Sequence, residues 1–325
     1  MGEMMETASE LKNVAKQIRR IGRQMSARAR NLFSMTDRRR PPEPDFLQFR
    51  DLPSYLSHQK EYADIVAERA RVADDSIGAG ERFYLRGYCD PCDQSVDFMV
   101  DYAGTADGGA ARQPNWRERL VCPCGLNNRV RAAVHVFRRY CQPSAEDPIF
   151  VTEQVTPLYR WLCDHYSNVV GSEYLGDVVP FGSLRADGIR NETVTALSFA
   201  DESYSHVLSF DVLEHVPDYA LALREFFRVL RPGGYLLFSV PFIASNAKTL
   251  VRARVNDHGE IEHLLSPEYH GDPLADAGCL CYYHFGWDLL DTCRVAGFSD
   301  VSAVAVWSKD FGYLGPDQLV FLARK

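Results

Sequence analysis

Four cysteines stand where two tight turns could present them to a single ion. Cys89 and Cys92 form a CxxC in GYCDPCDQ, and Cys122 and Cys124 form a CxC in VCPCGLNNRVR. Each turn offers two thiolates, and a fold that joins the turns completes the tetrahedral set that zinc takes. Four sulfurs close the coordination sphere, so Cys89, Cys92, Cys122 and Cys124 are expected to be structural ligands, with buried free thiols as the alternative. A second CxC, Cys279 and Cys281 in AGCLCYYH, has no second pair to join. Cys141, Cys163 and Cys293 are isolated and read as small buried residues.

The other residue types suited to chemistry are histidines and carboxylates. His263 and His270 lie in a polar stretch from Ala244 to Asp276, and His284 follows among Tyr282, Tyr283, Phe285 and Trp287. Imidazole titrates near neutrality, so His270, His284 and His263 are the candidates for a general base. The expectation attaches to the set, since any one of them alone reads first as a hydrogen-bonded surface or core histidine. Long insertions of this kind are usually binding loops or lids, and the interleaved aromatics suit an aromatic or sugar-like acceptor as well as core packing.

The elements that must position these groups are legible from the apolar periodicity. His206 to Phe210 is a buried strand, an acidic loop runs from Asp211 to Asp218, and Ala220 to Leu230 recurs at helical spacing. Leu230 and Arg231 supply the last turn, Pro232, Gly233 and Gly234 stop the helix, and Tyr235 to Val240 is the next strand. Upstream, Ile149 to Thr152 is a strand, Thr156 to Tyr166 a helix, and Val169 to Gly171 a second strand. Downstream, a helix ends at Gly297, and Val301 to Trp307 and Leu319 to Ala323 form a closing antiparallel pair. The alternation predicts an α/β fold, a doubly wound, mostly parallel sheet.

At Ser205 to Phe242 the run LSFDVLEHV, an amphipathic helix and LRPGGYLLFSVP resemble the fourth strand, fourth helix and fifth strand of class I S-adenosylmethionine-dependent methyltransferases. TALSFADESYSHVL just before it is similar to that family's approach to the fourth strand. The resemblance implies a Rossmann-like methyltransferase fold, S-adenosylmethionine as cofactor and methyl transfer as the reaction. It places Glu153 at the first acidic position, facing the cofactor's ammonium, and Glu173 at the second, on the ribose. Thr193 and the Val194 backbone fall at the adenine, and Phe210 and Asp211 along the methionine part.

The family's Gly-rich turn is absent. Two, four and six positions beyond Glu153 stand Val155, Pro157 and Tyr159. Thr156 as N-cap and Pro157 as first helical residue still aim a helix N-terminus out of the sheet, where it can hold a carboxylate. Asp211, Glu214 and His215 form D-x-x-E-H, and some metal-dependent members of the fold use a similar pattern. The favoured reading here is structural, Glu214 and His215 orienting the loop.

Composition sets the remaining limits. The 325 residues, 46% hydrophobic and 25% charged, suit a globular protein with a sizeable core. No run reaches membrane-spanning length and no apolar leader precedes residue 40, so the expected location is cytoplasmic. Residues 1–40 hold ten Lys or Arg against four Asp or Glu, and the remaining chain holds 26 against 40. The acidic body argues against nucleic acid as partner and leaves a small-molecule acceptor as the leading expectation. An RNA methyltransferase docking through its zinc module, and a non-catalytic binding protein, are the alternatives. Residues 6–35 read as an amphipathic helix with a basic face, fit for packing, homo-oligomer formation or peripheral membrane contact. The expected organisation is an N-terminal helical region over 1–80, a zinc-ribbon-like module over 81–140 and a methyltransferase-like domain over 141–325.

Overall fold

The computed structural model describes residues 39–103, 105, 113–176, 179–272 and 274–325, so the amphipathic helix expected over 6–35 lies outside the described residues. The N-terminal part of the described chain contains β1 (Asp45–Phe49), α1 (Leu52–Glu61), α2 (Ala63–Asp75), β2 (Arg82–Cys89), β3 (Gln94–Asp101) and α3 (Asn128–Val136). The alternating part follows as β4 (Ile149–Val151), α4 (Pro157–His165), β5 (Val169–Gly171), β6 (Tyr204–Phe210), α5 (Tyr219–Val229) and β7 (Leu230–Ser239). Six short strands come next: β8 (Leu250–Val251), β9 (Ala253–Val255), β10 (Ile261–His263), β11 (Tyr269–Asp272), β12 (Ala275–Leu280) and β13 (Tyr283–His284). The chain closes with α6 (Asp288–Ala296), β14 (Asp300–Ser308) and β15 (Tyr313–Arg324).

Seven strands form one sheet in the order β1-β14-β15-β7-β6-β4-β5. β5, β4, β6 and β7 are parallel, and β15, β14 and β1 run antiparallel beside them. Each face buries a separate core, because successive side chains of a strand point to opposite sides. Phe150, Val207, Leu236, Phe238 and Phe321 pack with Leu223, Phe226 and Leu290 of α5 and α6 on one face. Ile149, Val151, Leu208, Leu237 and Val320 pack with Ala133, Phe137, Leu158 and Leu162 on the other. The expected mostly parallel sheet is thus evenly mixed, three parallel and three antiparallel pairings, and helices on both faces still make this a doubly wound, Rossmann-like architecture. Between β5 and β6, one parallel bridge joins Glu173 to Asn191, and no further strand of the sheet lies there among the described residues.

Three local expectations change. Inside the region expected to be helical over 1–80, Asp45–Phe49 adds β1 antiparallel to β14, with Leu47 and Phe49 on one core and Phe46 on the other. Within the helical region expected over 1–80, the helix from Leu52 breaks at Tyr62 (φ −109°, ψ 31°), which separates α1 from α2. α5 stops at Val229, before Leu230 and Arg231, since a residue preceding proline is pushed out of helical geometry. β7 then absorbs the Pro-Gly-Gly as a bulge: Leu230 pairs with Tyr204 and Tyr235 with His206, and Gly233 takes φ 81°. A side chain on Gly234 would meet the Ser205 carbonyl at 2.8 Å.

Residues Pro41–Lys325 pack as one compact unit. Arg131 of α3, among the largest fully buried side chains, joins the cysteine-bearing segment to the sheet. It donates to the carbonyls of Phe311 (2.7 Å) and Gly312 (3.1 Å) in the β14–β15 turn and to Leu120 (3.3 Å) before the CxC. Its guanidinium lies 3.8 Å from the ring centre of Phe98 in β3. Among the described residues no helix is long and apolar enough to cross a membrane.

Replacing Arg131 with Met keeps the bulk and strands three carbonyls. The expected loss is about 3 kcal/mol by urea unfolding, and a change under about 1 kcal/mol would refute this linking role.

Candidate functional site

The carboxyl ends of β4, β5 and β6 converge on one edge of the sheet, and the acidic residues expected there are present. Glu153 follows β4. Burial raises its pKa to about 7 despite Thr156 and Arg129 nearby, and its Oε1 is buried with no hydrogen-bond partner. Thr156 is the N-cap of α4, its hydroxyl accepting from the Tyr159 amide at 3.2 Å, and Pro157 is the first helical residue. Glu173 follows β5, and its Oε1 accepts from the amides of Gln154 (2.6 Å) and Val155 (3.0 Å).

This arrangement holds a turn that contains no glycine. The first βα turn is held from outside by the carboxylate of the neighbouring strand. The room for the Tyr159 ring comes from Gly171, where a Cβ would meet the ring at 2.6 Å and the Glu153 carbonyl at 2.7 Å.

Asp211 follows β6 with φ 54°, and its amide donates to the Ser239 carbonyl. Arg117 grips its carboxylate with two nitrogens at 2.6 and 2.7 Å, Arg129 adds a contact of 3.3 Å, and the Ser239 hydroxyl donates at 2.8 Å. Burial alone would raise the Asp211 pKa, but Arg129 and Arg117 hold it well below the usual carboxylate range. Glu118 accepts from both arginines and from Asn127. Sequence reasoning missed Arg117, Arg129 and Glu118. The visible signal was the density of arginine around the CxC, in WRER and NNRVR.

The other expected cofactor positions make contacts within the protein. Phe210 is buried in the core with Leu158 and Leu126. Thr193 bonds Thr195 at 2.9 Å, and Val194 packs against the opposite core. The buried acid of that segment is Glu192, taken up by Arg190 (2.8 Å) and by the Ser198 amide and hydroxyl.

The cysteine turns sit beside this edge. Cys89, Cys92, Cys122 and Cys124 bring their four sulfurs within 4.8 Å of one another, with Cys92 and Cys122 3.6 Å apart. Bonds of about 2.3 Å in a tetrahedron would set sulfurs about 3.8 Å apart, so the four residues fit a zinc ion. Both turns touch α4: Trp161 donates its indole N–H to the Pro91 carbonyl at 2.9 Å, and Gly125 (φ 91°) lies where a Cβ would meet Pro157 at 3.1 Å.

The histidines gather over the loop after β6. His270 on β11 and His284 on β13 both donate from Nε2 to Glu268 Oε1 at 3.0 Å, and Arg252 binds the second oxygen at 3.1 Å. Cys281, Glu214 and Glu268 push the His270 pKa up to about 11. His263 lies on the exposed β9–β10 hairpin and is not brought to this cluster. The stretch expected to be loop-like is folded into two-stranded ribbons, and the Tyr282 amide ties it back to the Glu214 carbonyl at 2.7 Å.

Comparison with known proteins matches residues 156–238 to a family described as a methyltransferase domain. A probable S-adenosylmethionine-dependent methyltransferase of Mycolicibacterium smegmatis is 37% identical over 84 residues, 25% of this chain and 32% of that protein. The chain thus spans about a third of the length of this curated relative. Among solved structures, an S-adenosylmethionine-dependent methyltransferase of Mesorhizobium loti is 19% identical, covering 59% of this chain and 98% of its own, with TM-score 0.38. A 1,6-didemethyltoxoflavin-N1-methyltransferase of Burkholderia thailandensis is 17% identical, covering 61% and 78%, with TM-score 0.35. Similarities of this size carry no information about the acceptor.

Arg129→Leu leaves Asp211 with Arg117 alone and should cost about 2 kcal/mol at neutral pH. Because the Asp211 pKa is depressed in the fold, the stabilisation is complete above about pH 4 and is lost as pH falls further. Urea titrations at several pH values should show the gap between variant and wild type narrowing on acidification; a gap that widens would contradict the assignment.

Proposed function

We propose that the chain transfers a methyl group from S-adenosylmethionine to a small-molecule acceptor, a sugar or natural-product intermediate. The observation that carries this reading is the pairing of Glu153 and Glu173 at the ends of adjacent strands, with the Thr156-capped end of α4 between them. When bound, the cofactor supplies an activated sulfonium methyl, so the protein's task is alignment and exclusion of water. Glu153, with an oxygen lacking any donor, meets the amino-acid ammonium. Glu173 fixes the turn and presents a carboxylate beside the ribose hydroxyls. The N-terminus of α4 faces the amino-acid carboxylate. The matched methyltransferase-domain segment, residues 156–238, supports the same reaction class.

The acceptor belongs over the loop after β6, under the ribbons of residues 250–284. Arginines there are already paired, Arg252 with Glu268 and Arg254 with Glu262, which leaves little cationic surface for a phosphate backbone and favours a small molecule. His284 and His270 are the nearest candidates for accepting a proton. His270 can do so only once the proton held by Cys281, Glu214 and Glu268 has been displaced.

Zinc at Cys89, Cys92, Cys122 and Cys124 belongs to the same proposal as a structural ion. The hydrogen bonds of the buried Arg131 guanidinium go to backbone carbonyls. Four thiolates around a divalent ion carry two net negative charges, which offset that buried cation.

Calorimetry with S-adenosylhomocysteine should show binding by the wild type and at least tenfold weaker binding by Glu173→Ala; no binding by the wild type would sink the enzymatic reading. Burial favours the protonated form of Glu153, so its contribution to ligand-free stability is full below about pH 4 and fades as pH rises through about 7. Ligand ammonium reverses that preference. Binding at pH 6.5 should therefore release roughly half to three quarters of a proton, read from buffers of different ionisation enthalpy, and Glu153→Gln should abolish the release. Purified protein should also yield one zinc per chain on thiol modification, and Cys122→Ser should lose it; a metal-free, stable wild type would refute the structural ion.

A further inference from the structure

Outside the cofactor edge and the four cysteines, one cluster has the composition and geometry of a second metal centre. Glu214 sits in the short turn Leu213–His215 directly after β6, and its side chain is fully buried. Both of its carboxylate oxygens lack a hydrogen-bond partner. Removing a carboxylate from water without compensation is costly, so such a group requires a proton, a cation or a ligand. Two imidazole nitrogens face the same oxygen: His270 Nδ1 at 3.6 Å and His215 Nε2 at 3.7 Å from Oε1.

The tautomers point the same way. His215 Nδ1 lies 2.8 Å from the Leu280 carbonyl, which can only accept, so Nδ1 carries the proton and Nε2 keeps its lone pair. His270 Nε2 donates to Glu268 Oε1 and its Nδ1 faces Glu214, so an ion that binds there takes the place of the proton that the ring otherwise holds on that nitrogen. A carbonyl behind one imidazole and a carboxylate behind the other is the support that metal-binding histidines receive, because it fixes the ring and raises its basicity. The three donor atoms all lie within 4.8 Å of one another. Ligands about 2.0–2.2 Å from one ion stand about 3.3–3.6 Å apart, so a small inward movement of each side chain completes the set.

We propose that Glu214, His215 and His270 bind one divalent transition-metal ion, of the manganese-to-zinc type, with coordination positions left open. Two imidazoles and one carboxylate suit such ions and leave sites for water or an acceptor oxygen. His270 is 30% and His215 18% exposed, so the ion is reached from the acceptor side while Glu214 anchors it from within. Glu268 holds His270 and His284 together and is itself held by Arg252, which makes Glu268 a positioning residue. Asp211, first in the D-x-x-E-H pattern, takes no part because Arg117 and Arg129 occupy its carboxylate. On the methyltransferase reading, the open positions hold the acceptor's hydroxyl and assist its deprotonation. The binding of the ion does not depend on that reading.

The test uses the full chain with its cysteine cluster zinc-loaded and Mn²⁺ as the probe, since thiolates discriminate against manganese and a carboxylate with imidazoles accepts it. Electron paramagnetic resonance of free Mn²⁺ should show one bound ion per wild-type chain. Glu214→Gln and His215→Gln should each weaken binding at least tenfold, with circular dichroism and zinc content retained. If Glu214→Gln fails to fold, the wild-type stoichiometry and His215→Gln decide. No bound Mn²⁺ in the wild type, or equal binding by a folded variant, would overturn the proposal and leave Glu214 as a buried protonated acid. S-adenosylhomocysteine calorimetry on the same samples separates this failure from failure of the methyltransferase reading.

Discussion

The buried guanidinium of Arg131 is the contact on which the arrangement of the molecule depends. It binds carbonyls on the β14–β15 turn and before the CxC while lying against Phe98 of the β2–β3 hairpin, so it fixes the cysteine segment to the far half of the sheet. A charge without carboxylate partners in a core is tolerated only where dipoles and a neighbouring negative charge surround it. From α3, anchored by Arg131, Arg129 reaches Asp211 at the end of β6, and Arg117 from the preceding turn completes the grip. The cysteine segment is therefore part of the wall of the candidate site.

The same edge shows how a turn can be held without glycine. A Gly-rich loop owes its shape to the backbone freedom of its own residues. Here the turn is held by Glu173, which accepts two of its amides, and by the contact of Tyr159 with Gly171. Glu173 thereby spends hydrogen-bonding capacity on the loop, and the shape of the turn becomes coupled to the position of β5.

Over the neighbouring loop, the ribbons of residues 250–284 bring Glu268, His270, Cys281 and His284 to Glu214 and His215. The tie from Tyr282 to the Glu214 backbone and the parallel bridge between Phe242 and Phe285 hold this cover against the sheet. Residues far apart in sequence thus meet, and hydrogen bonds to the Leu280 carbonyl and to Glu268 hold one nitrogen each of His215 and His270.

What the sequence determined by itself is whatever depends on local pattern. Val169–Gly171 was legible as a strand because an apolar run between turn residues has one buried solution, and the Thr156–Pro157 start of α4 because capping chemistry acts within three residues. The convergence of Cys89, Cys92, Cys122 and Cys124 was legible because each turn carries its own pair. Strand β1 was not, since five residues after a proline-rich run take their identity from pairing with β14, some 250 residues away. Only the tertiary structure decided the company each charge keeps: Asp211 with Arg117 and Arg129, Glu173 with the loop it was expected to sit beside, Glu214 with two histidines. Charges act over a few ångströms in space whatever their separation along the chain, and that distance is set by folding.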